Sequence, residues 1–206
     1  MALMFNTHGV FPTPVVFTNI DREFTVKEKK YLEEQGKNTH SNMGNLTSNN
    51  RYILRDKEMK DIAKSIDEAV DYFFQNIMSP KHKDVKLYTT QSWLNYTEEG
   101  QYHHKHSHPN SIVSGVFYID SDPENDKIFF YKDGYKQIKF PSENFNPFNS
   151  ESWWFPVKTG DIILFPSHFT HMVETKNGKN RRTSLAFNTF AKGYIGMEEE
   201  LTALHL

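Results

Sequence analysis

Ten histidines punctuate the chain, and six of them fall in two short segments: His103, His104, His106 and His108, then His168 and His171. In an extended strand, residues two apart project from the same face, so His104, His106 and His108 share a side and neighbours among them can grip one ion. Pro109 stops the ladder just after them, which suits a strand mouth. The later segment, from Gly160 and Asp161 through Phe165 and Pro166 to His171, reads as a buried strand, a turn and one more imidazole. A ligand from that distant strand would close a three-point facial site and leave up to three positions open for substrates. Within the first segment the pairing stays open between His106 with His108 and His104 with His106. A phosphate- or acid-binding cluster would not require His171. Isolated His8, His40, His82 and His205 read as ordinary surface or core residues.

Arg181-Arg182-Thr183-Ser184 follows His171 by ten to thirteen residues. A turn at Asn177-Gly178 can bring this stretch back alongside the histidine. Arginine suits a bidentate grip on a carboxylate, and Ser184, two beyond Arg182, lies on the same strand face and can add a hydroxyl. A metal site beside a carboxylate clamp implies a ligand that chelates at one end and is acidic at the other.

These side chains need a β framework, and the back of the chain supplies one. Strands are expected at 85–96, 112–119, 127–131, 135–140, 161–165, 171–174 and 183–190, separated by turn signals such as Glu99-Gly100, Asp133-Gly134 and Thr159-Gly160. That pattern reads as a sandwich or jelly roll. Asp120 to Asp126 reads as a solvated acidic loop. The front of the chain is helical. Val10 to Phe17, broken by Pro12 and Pro14, suits an extended arm or edge strand. Thr25 with Glu28 forms a capping box that opens a short helix to about Glu34. Residues 36–50 read as a loop, within which Asn38 to Asn50 is either a candidate lid or an idle surface loop. Met59, Ile62, Ala63, Ile66, Val70, Phe73 and Ile77 mark an amphipathic helix that ends before Pro80 and packs on the sheet.

Composition narrows the class. At 206 residues, one domain is the expectation: an arm with supporting helices over 1–84, a β core over 85–192 and a tail over 193–206. With 24 Lys+Arg against 26 Asp+Glu, the formal charge of −2 argues against a basic nucleic-acid binder. No apolar run approaches the roughly 18 residues of a membrane span. Met1 to Ile20 reads as neither signal nor anchor. A cytoplasmic protein with no membrane partner is the default, its oligomeric state open. The absence of cysteine excludes disulfides, thiolate zinc sites and Cys nucleophiles, so any metal is held by nitrogen and oxygen.

The order of these parts resembles the 2-oxoglutarate/Fe(II)-dependent oxygenases, in particular the prolyl-hydroxylase-like branch and related bacterial and viral proteins. The residues that carry the likeness are Phe11 to Val15, Ser92-Trp93-Leu94-Asn95 with Gly100, His106-Ser107-His108-Pro109, Ser114 to Tyr118, Gly160 to Pro166, His171-Met172-Val173 and Arg182 to Asn188. The resemblance implies a double-stranded β-helix (jelly-roll, cupin-like) core, mainly β with flanking helices. It implies His106, His108 and His171 as Fe(II) ligands, Arg182 with Ser184 on the 5-carboxylate of 2-oxoglutarate, and Tyr96 and Tyr118 as further contacts to that cosubstrate. It implies a dioxygenase that uses O2, with ascorbate as a reductant, and hydroxylates an unactivated C–H bond. The branch makes peptidyl proline the leading substrate, with small molecules also in range. Position 108 departs from the usual pattern, which has a carboxylate there. Val116, Leu164 and Phe187 are expected as apolar walls, and Trp153-Trp154-Phe155 as either a core or interface cluster or the lining of a substrate groove. Two other readings remain: a cupin-type metalloenzyme that uses the same histidines without 2-oxoglutarate, and a non-catalytic β-sandwich binding module.

Overall fold

Alternation of side chains along four neighbouring strands determines how this molecule is layered. The computed structural model of the chain describes residues 3–134, 138 and 140–206. Its thirteen strands are β1 (Val16–Asn19), β2 (Thr39–Ser41), β3 (Leu46–Ser48), β4 (Lys86–Thr97), β5 (His103–His106), β6 (Val113–Asp120), β7 (Lys127–Tyr131), β8 (Ser152–Pro156), β9 (Asp161–Pro166), β10 (His171–Val173), β11 (Arg182–Lys192), β12 (Tyr194–Ile195) and β13 (Leu204–His205). Two α-helices, α1 (Val26–Gly36) and α2 (Lys60–Phe73), precede the main strands. A seven-stranded sheet runs in the order β1-β9-β6-β11-β4-β3-β2, and a four-stranded sheet in the order β5-β10-β7-β8. All named pairs in both are antiparallel. This is the double-stranded β-helix core that the sequence led us to expect, with helices against one outer face.

Strands β6 and β9 of the large sheet feed two cores, because consecutive side chains leave opposite faces. Leu94, Phe117, Ile162, Leu164, Leu185 and Phe187 turn to the helices and pack with Ile62, Ile66 and Phe73 of α2. Tyr118, Ile163 and Phe165 turn the other way and meet Ile128 and Phe130 of the small sheet. Phe130 and Phe165 touch edge to face, their ring centroids 5.1 Å apart. A buried isoleucine stabilises such a layer by roughly 2 kcal/mol.

The helices form where capping and periodicity require. Thr25 accepts from the Glu28 backbone N–H, and the Glu28 carboxylate accepts from the Thr25 N–H, which gives the expected capping box. The Arg22 guanidinium clamps the same carboxylate at 2.7 and 2.9 Å. α2 buries Ile62, Ile66, Ala69, Val70 and Phe73 on one face. A wider helical turn continues it to Met78 and stops at Ser79, whose φ of 49° ends the helix ahead of Pro80.

Three expectations need correction. Residues 36–50 are not a free loop: Thr39–Ser41 and Leu46–Ser48 pair as a hairpin and join β4 through Leu46 and Thr47. Asn- and Ser-rich composition hid that hairpin. Ser152–Pro156, where no strand was expected, is the edge strand β8, paired with β7 and carrying Trp153, Trp154 and Phe155. The tail contributes β12 and β13, which pair with each other. The strand expected at 135–140 falls largely outside the described residues. Among the described residues, no helix is long and apolar enough to cross a membrane.

Candidate metal centre and diacid pocket

The site lies between the two sheets. β5 and β10 run side by side, with His171 directly opposite His106 and Val173 opposite His103. His108 lies just past the end of β5, where its backbone N–H donates to the Ser167 carbonyl at 2.9 Å. That bond folds the chain back over β10. One ring nitrogen each from His106, His108 and His171 lies within 4.8 Å of the other two. A second group, His103, His104 and His106, meets the same distance criterion. Both pairings open from the sequence are therefore spatially formed, but only the first includes the distant strand. His103, His106, His108 and His171 line one pocket together with Arg182, Ser184 and Tyr118.

Hydrogen bonds fix two of the imidazoles in the form a metal needs. His106 Nδ1 lies 2.7 Å from the His104 carbonyl, and His171 Nδ1 lies 3.0 Å from the Phe169 carbonyl. A carbonyl only accepts, so each Nδ1 carries the proton and each Nε2 offers its lone pair. Burial, then neighbouring imidazoles, hold these rings neutral: His108 is pushed down to about 4 and His171 to about 3. Burial also lowers His106, against the opposing effect of its backbone bond. His103 falls to about 2 for the same main reason, burial, followed by the neighbouring imidazoles and Arg182. Neutral, pre-oriented imidazoles fit a borderline cation such as Fe(II). The donor set is wholly nitrogen, because position 108 is histidine.

The acid-binding end is equally distinct. Arg182 opens β11 and is buried to 3% exposure. Its guanidinium donates to Thr97 Oγ1 at 3.0 Å. Burial lowers its proton affinity, while Tyr118 and Asp126 act to raise it. Ser184 and Asn95 are register partners on the pocket face of β11 and β4. Asn95 Oδ1 is buried and has no hydrogen-bond partner among the described residues. Tyr118 is buried, and that burial raises its hydroxyl pKa, so it remains a neutral donor. A buried guanidinium with neutral donors beside it suits a carboxylate.

Tyr96 is not in this pocket. Alternation along β4 sends Trp93, Asn95 and Thr97 inward and Leu94 and Tyr96 to the helix side. There Tyr96 lies under the Arg181 guanidinium, 4.3 Å from ring to carbon, and its hydroxyl is buried without a partner. Burial pushes that hydroxyl up to about 12. The motif spacing locates the strand but not its phase, so it assigned Tyr96 to a position that Asn95 occupies. Likewise Val116 lines the pocket as expected, while Leu164 and Phe187 face the helices; Trp93, Ile128 and Ala186 complete the walls. Trp153 and Trp154 line a different cleft along β8, with Phe129 and Phe148. The sequence placed His103 in the histidine cluster without assigning it to the pocket, and it did not single out Asn95 or the burial of Asp126, which is 1% exposed rather than solvated. Asn95 is found through its register partnership with Ser184 across β4 and β11, which no local sequence signal gives.

Comparison with known proteins agrees with this geometry. Residues 91–188 match the family described as "Putative 2OG-Fe(II) oxygenase". No curated protein sequence matches the chain. Among solved structures, the epimerase SnoN of nogalamycin biosynthesis, in complex with Fe3+, alpha ketoglutarate and nogalamycin RO, is similar at TM-score 0.60 and 12% identity, over 87% of this chain and 81% of that one. HygX from Streptomyces hygroscopicus, with nickel, 2-oxoglutarate and hygromycin B bound, is similar at TM-score 0.54 and 11% identity, over 86% and 82%. A prolyl-4-hydroxylase from Pseudomonas putida is similar at TM-score 0.55 and 12% identity, over 85% of this chain and 92% of that one. At these identities the likeness establishes the shared fold.

Proposed function

We propose that this chain, within the 2OG-Fe(II) oxygenase superfamily whose family match and fold it carries, acts as a 2-oxoglutarate- and Fe(II)-dependent hydroxylase, with peptidyl proline as the substrate to test first. One observation carries the reading: three neutral imidazoles converge in the same pocket that a buried arginine closes.

His106, His108 and His171 would hold the metal through ring nitrogens, with the His104 and Phe169 carbonyls fixing two of the rings. Arg182 and Ser184 would hold the distal carboxylate of 2-oxoglutarate, with Tyr118 and Asn95 as neutral partners on the same face. Bound Fe(II), with 2-oxoglutarate and dioxygen, supplies oxidation of an unactivated C–H bond to an alcohol with release of succinate and carbon dioxide. Three imidazoles bring no charge, so the metal-side carboxylate of 2-oxoglutarate would be the one anionic donor to the cation, where a carboxylate ligand usually contributes another, while Arg182 answers the distal one. Val116, Ile128 and Ala186 form apolar walls that keep bulk water from the reacting end. The prolyl-4-hydroxylase likeness supports a peptide substrate, and it is weighed against SnoN, which holds nogalamycin RO, and HygX, which holds hygromycin B.

The test is succinate formation from 2-oxoglutarate with Fe(II), O2 and ascorbate, first alone and then with proline-containing peptides scored for a gain of about 16 Da, one oxygen atom. Metal- and 2-oxoglutarate-dependent succinate, stimulated by such a peptide, is the expected result. Iron uptake that ignores 2-oxoglutarate would favour a cupin-type metalloenzyme. Succinate without any peptide gain would retain the oxygenase and reject proline.

A further inference from the structure

Behind Arg182 lies a buried charge cluster that the metal and cosubstrate roles do not account for. Lys176, in the turn between β10 and β11, donates from Nζ to Asp126 Oδ1 at 3.0 Å and to Asn180 Oδ1 at 2.8 Å. The Lys176 and Asp126 side chains are 0% and 1% exposed. The second Asp126 oxygen accepts the Asp122 backbone N–H at 2.8 Å. Arg182 Nη1 stands 3.8 Å from the same Oδ1 that lysine holds. That is an ion-pair distance but too long for a hydrogen bond. Two buried cations therefore share one buried carboxylate, which leaves a net charge of +1 facing the pocket.

Such an excess is costly in an apolar interior unless an anion completes it. A lone buried aspartate would be expected to take the guanidinium in a bidentate grip and cancel its charge. Here both oxygens of Asp126 are engaged, one by Lys176 and one by a backbone N–H. Lys176 is itself tied to the histidine strand's approach: its backbone N–H donates to the Gln101 carbonyl at 2.8 Å, and its carbonyl accepts from the Gly100 N–H at 2.8 Å.

We propose that Lys176 is a positioning residue that, by occupying Asp126, holds that carboxylate at ion-pair but not hydrogen-bond distance from the Arg182 guanidinium, leaves the arginine only partly compensated and so makes the pocket a receptor for a dianionic diacid. The inference rests on the 2-oxoglutarate reading of the pocket and names what sets its affinity.

Calorimetric titration of 2-oxoglutarate into metal-loaded wild type, Lys176→Met, Lys176→Arg and the double variant Asp126→Asn/Lys176→Met tests it, with metal affinity measured separately. In Lys176→Met, Asp126 turns to Arg182 and 2-oxoglutarate affinity falls by about tenfold or more, while metal affinity stays within about twofold. Lys176→Arg restores most of it. The decisive variant is the double one, in which the carboxylate that would neutralise Arg182 is gone: affinity returns to within about threefold of wild type. Should Lys176→Met fail to fold, Lys176→Gln takes its place, since it likewise frees Asp126 to turn to Arg182 and is read against the same double variant. Unchanged affinity in Lys176→Met, or a double variant as weak as the single, overturns the role of Lys176 alone. Wild type that takes up no 2-oxoglutarate overturns the cosubstrate reading itself, and this inference with it.

Discussion

His171 is the direct register partner of His106 across the β5–β10 ladder, with ring centroids 4.4 Å apart. The pairing brings residues 65 positions apart in the chain within reach of one cation. His108 joins them from beyond the strand end, its ring centroid 4.9 Å from that of His106 and 5.1 Å from that of His171.

Single alanine substitutions separate the two histidine groups. His106→Ala, His108→Ala and His171→Ala should each weaken metal binding by more than the roughly 10–100-fold that loss of an outer-shell partner costs. His104→Ala should keep the metal, since its contribution to His106 is a backbone carbonyl that alanine retains. Metal content after dialysis and a direct titration would check both. Retention in His108→Ala with loss in His104→Ala would assign the ion to the other group.

The phase of β4 makes a second prediction. Asn95→Leu should weaken 2-oxoglutarate binding by about tenfold, because the pocket loses a polar partner opposite Ser184. Tyr96→Phe should leave that binding within about twofold and leave the melting temperature unchanged or slightly raised, since it removes a buried hydroxyl without a partner. Binding isotherms and thermal unfolding distinguish the pair.

How much of this was legible beforehand depends on the residue. Histidine spacing and Pro109 located the metal strand, and the Thr25–Glu28 box located α1, because both signals are local in sequence. Tyr96 was misplaced because a one-residue shift in strand phase inverts the face, and no local signal sets that phase. Asp126 looked like one more acidic loop residue; its burial follows from Lys176, 50 positions away. The hairpin at 39–48 was hidden by polar composition, since its pairing with β4 supplies the order that its own side chains do not.

Gly115 on β6 should tolerate no side chain. A Cβ there would lie 2.2 Å from Cζ of Phe187, whose ring covers the glycine from β11. Gly115→Ala is expected to cost about 1–3 kcal/mol by overpacking. Phe187→Leu in the same chain should recover part of the loss. Urea denaturation of the single and double variants measures both.

The α1 cap should make stability depend on acid. Burial opposes the Glu28 charge, but the Arg22 guanidinium and the Thr25 bonds outweigh it and hold the carboxyl below its ordinary value. With the folded pKa below the unfolded one, the stabilisation is complete above about pH 4.3, the ordinary glutamate value, and is lost as pH falls through the folded value. Glu28→Gln should therefore cost about 1 kcal/mol at pH 7 and progressively less below about pH 4. Denaturation midpoints at several pH values would show the two curves converging in acid.

The measurement that bears most directly on the site is an anaerobic titration of 2-oxoglutarate into the protein with and without Fe(II). One molecule should bind per chain, more tightly with iron than without. Arg182→Ala should reduce affinity by roughly 10–100-fold, as expected for losing charge-assisted hydrogen bonds, and His171→Ala should abolish the gain from iron. Binding indifferent to iron, or unaltered in Arg182→Ala, would contradict a single pocket shared by the three imidazoles and the guanidinium.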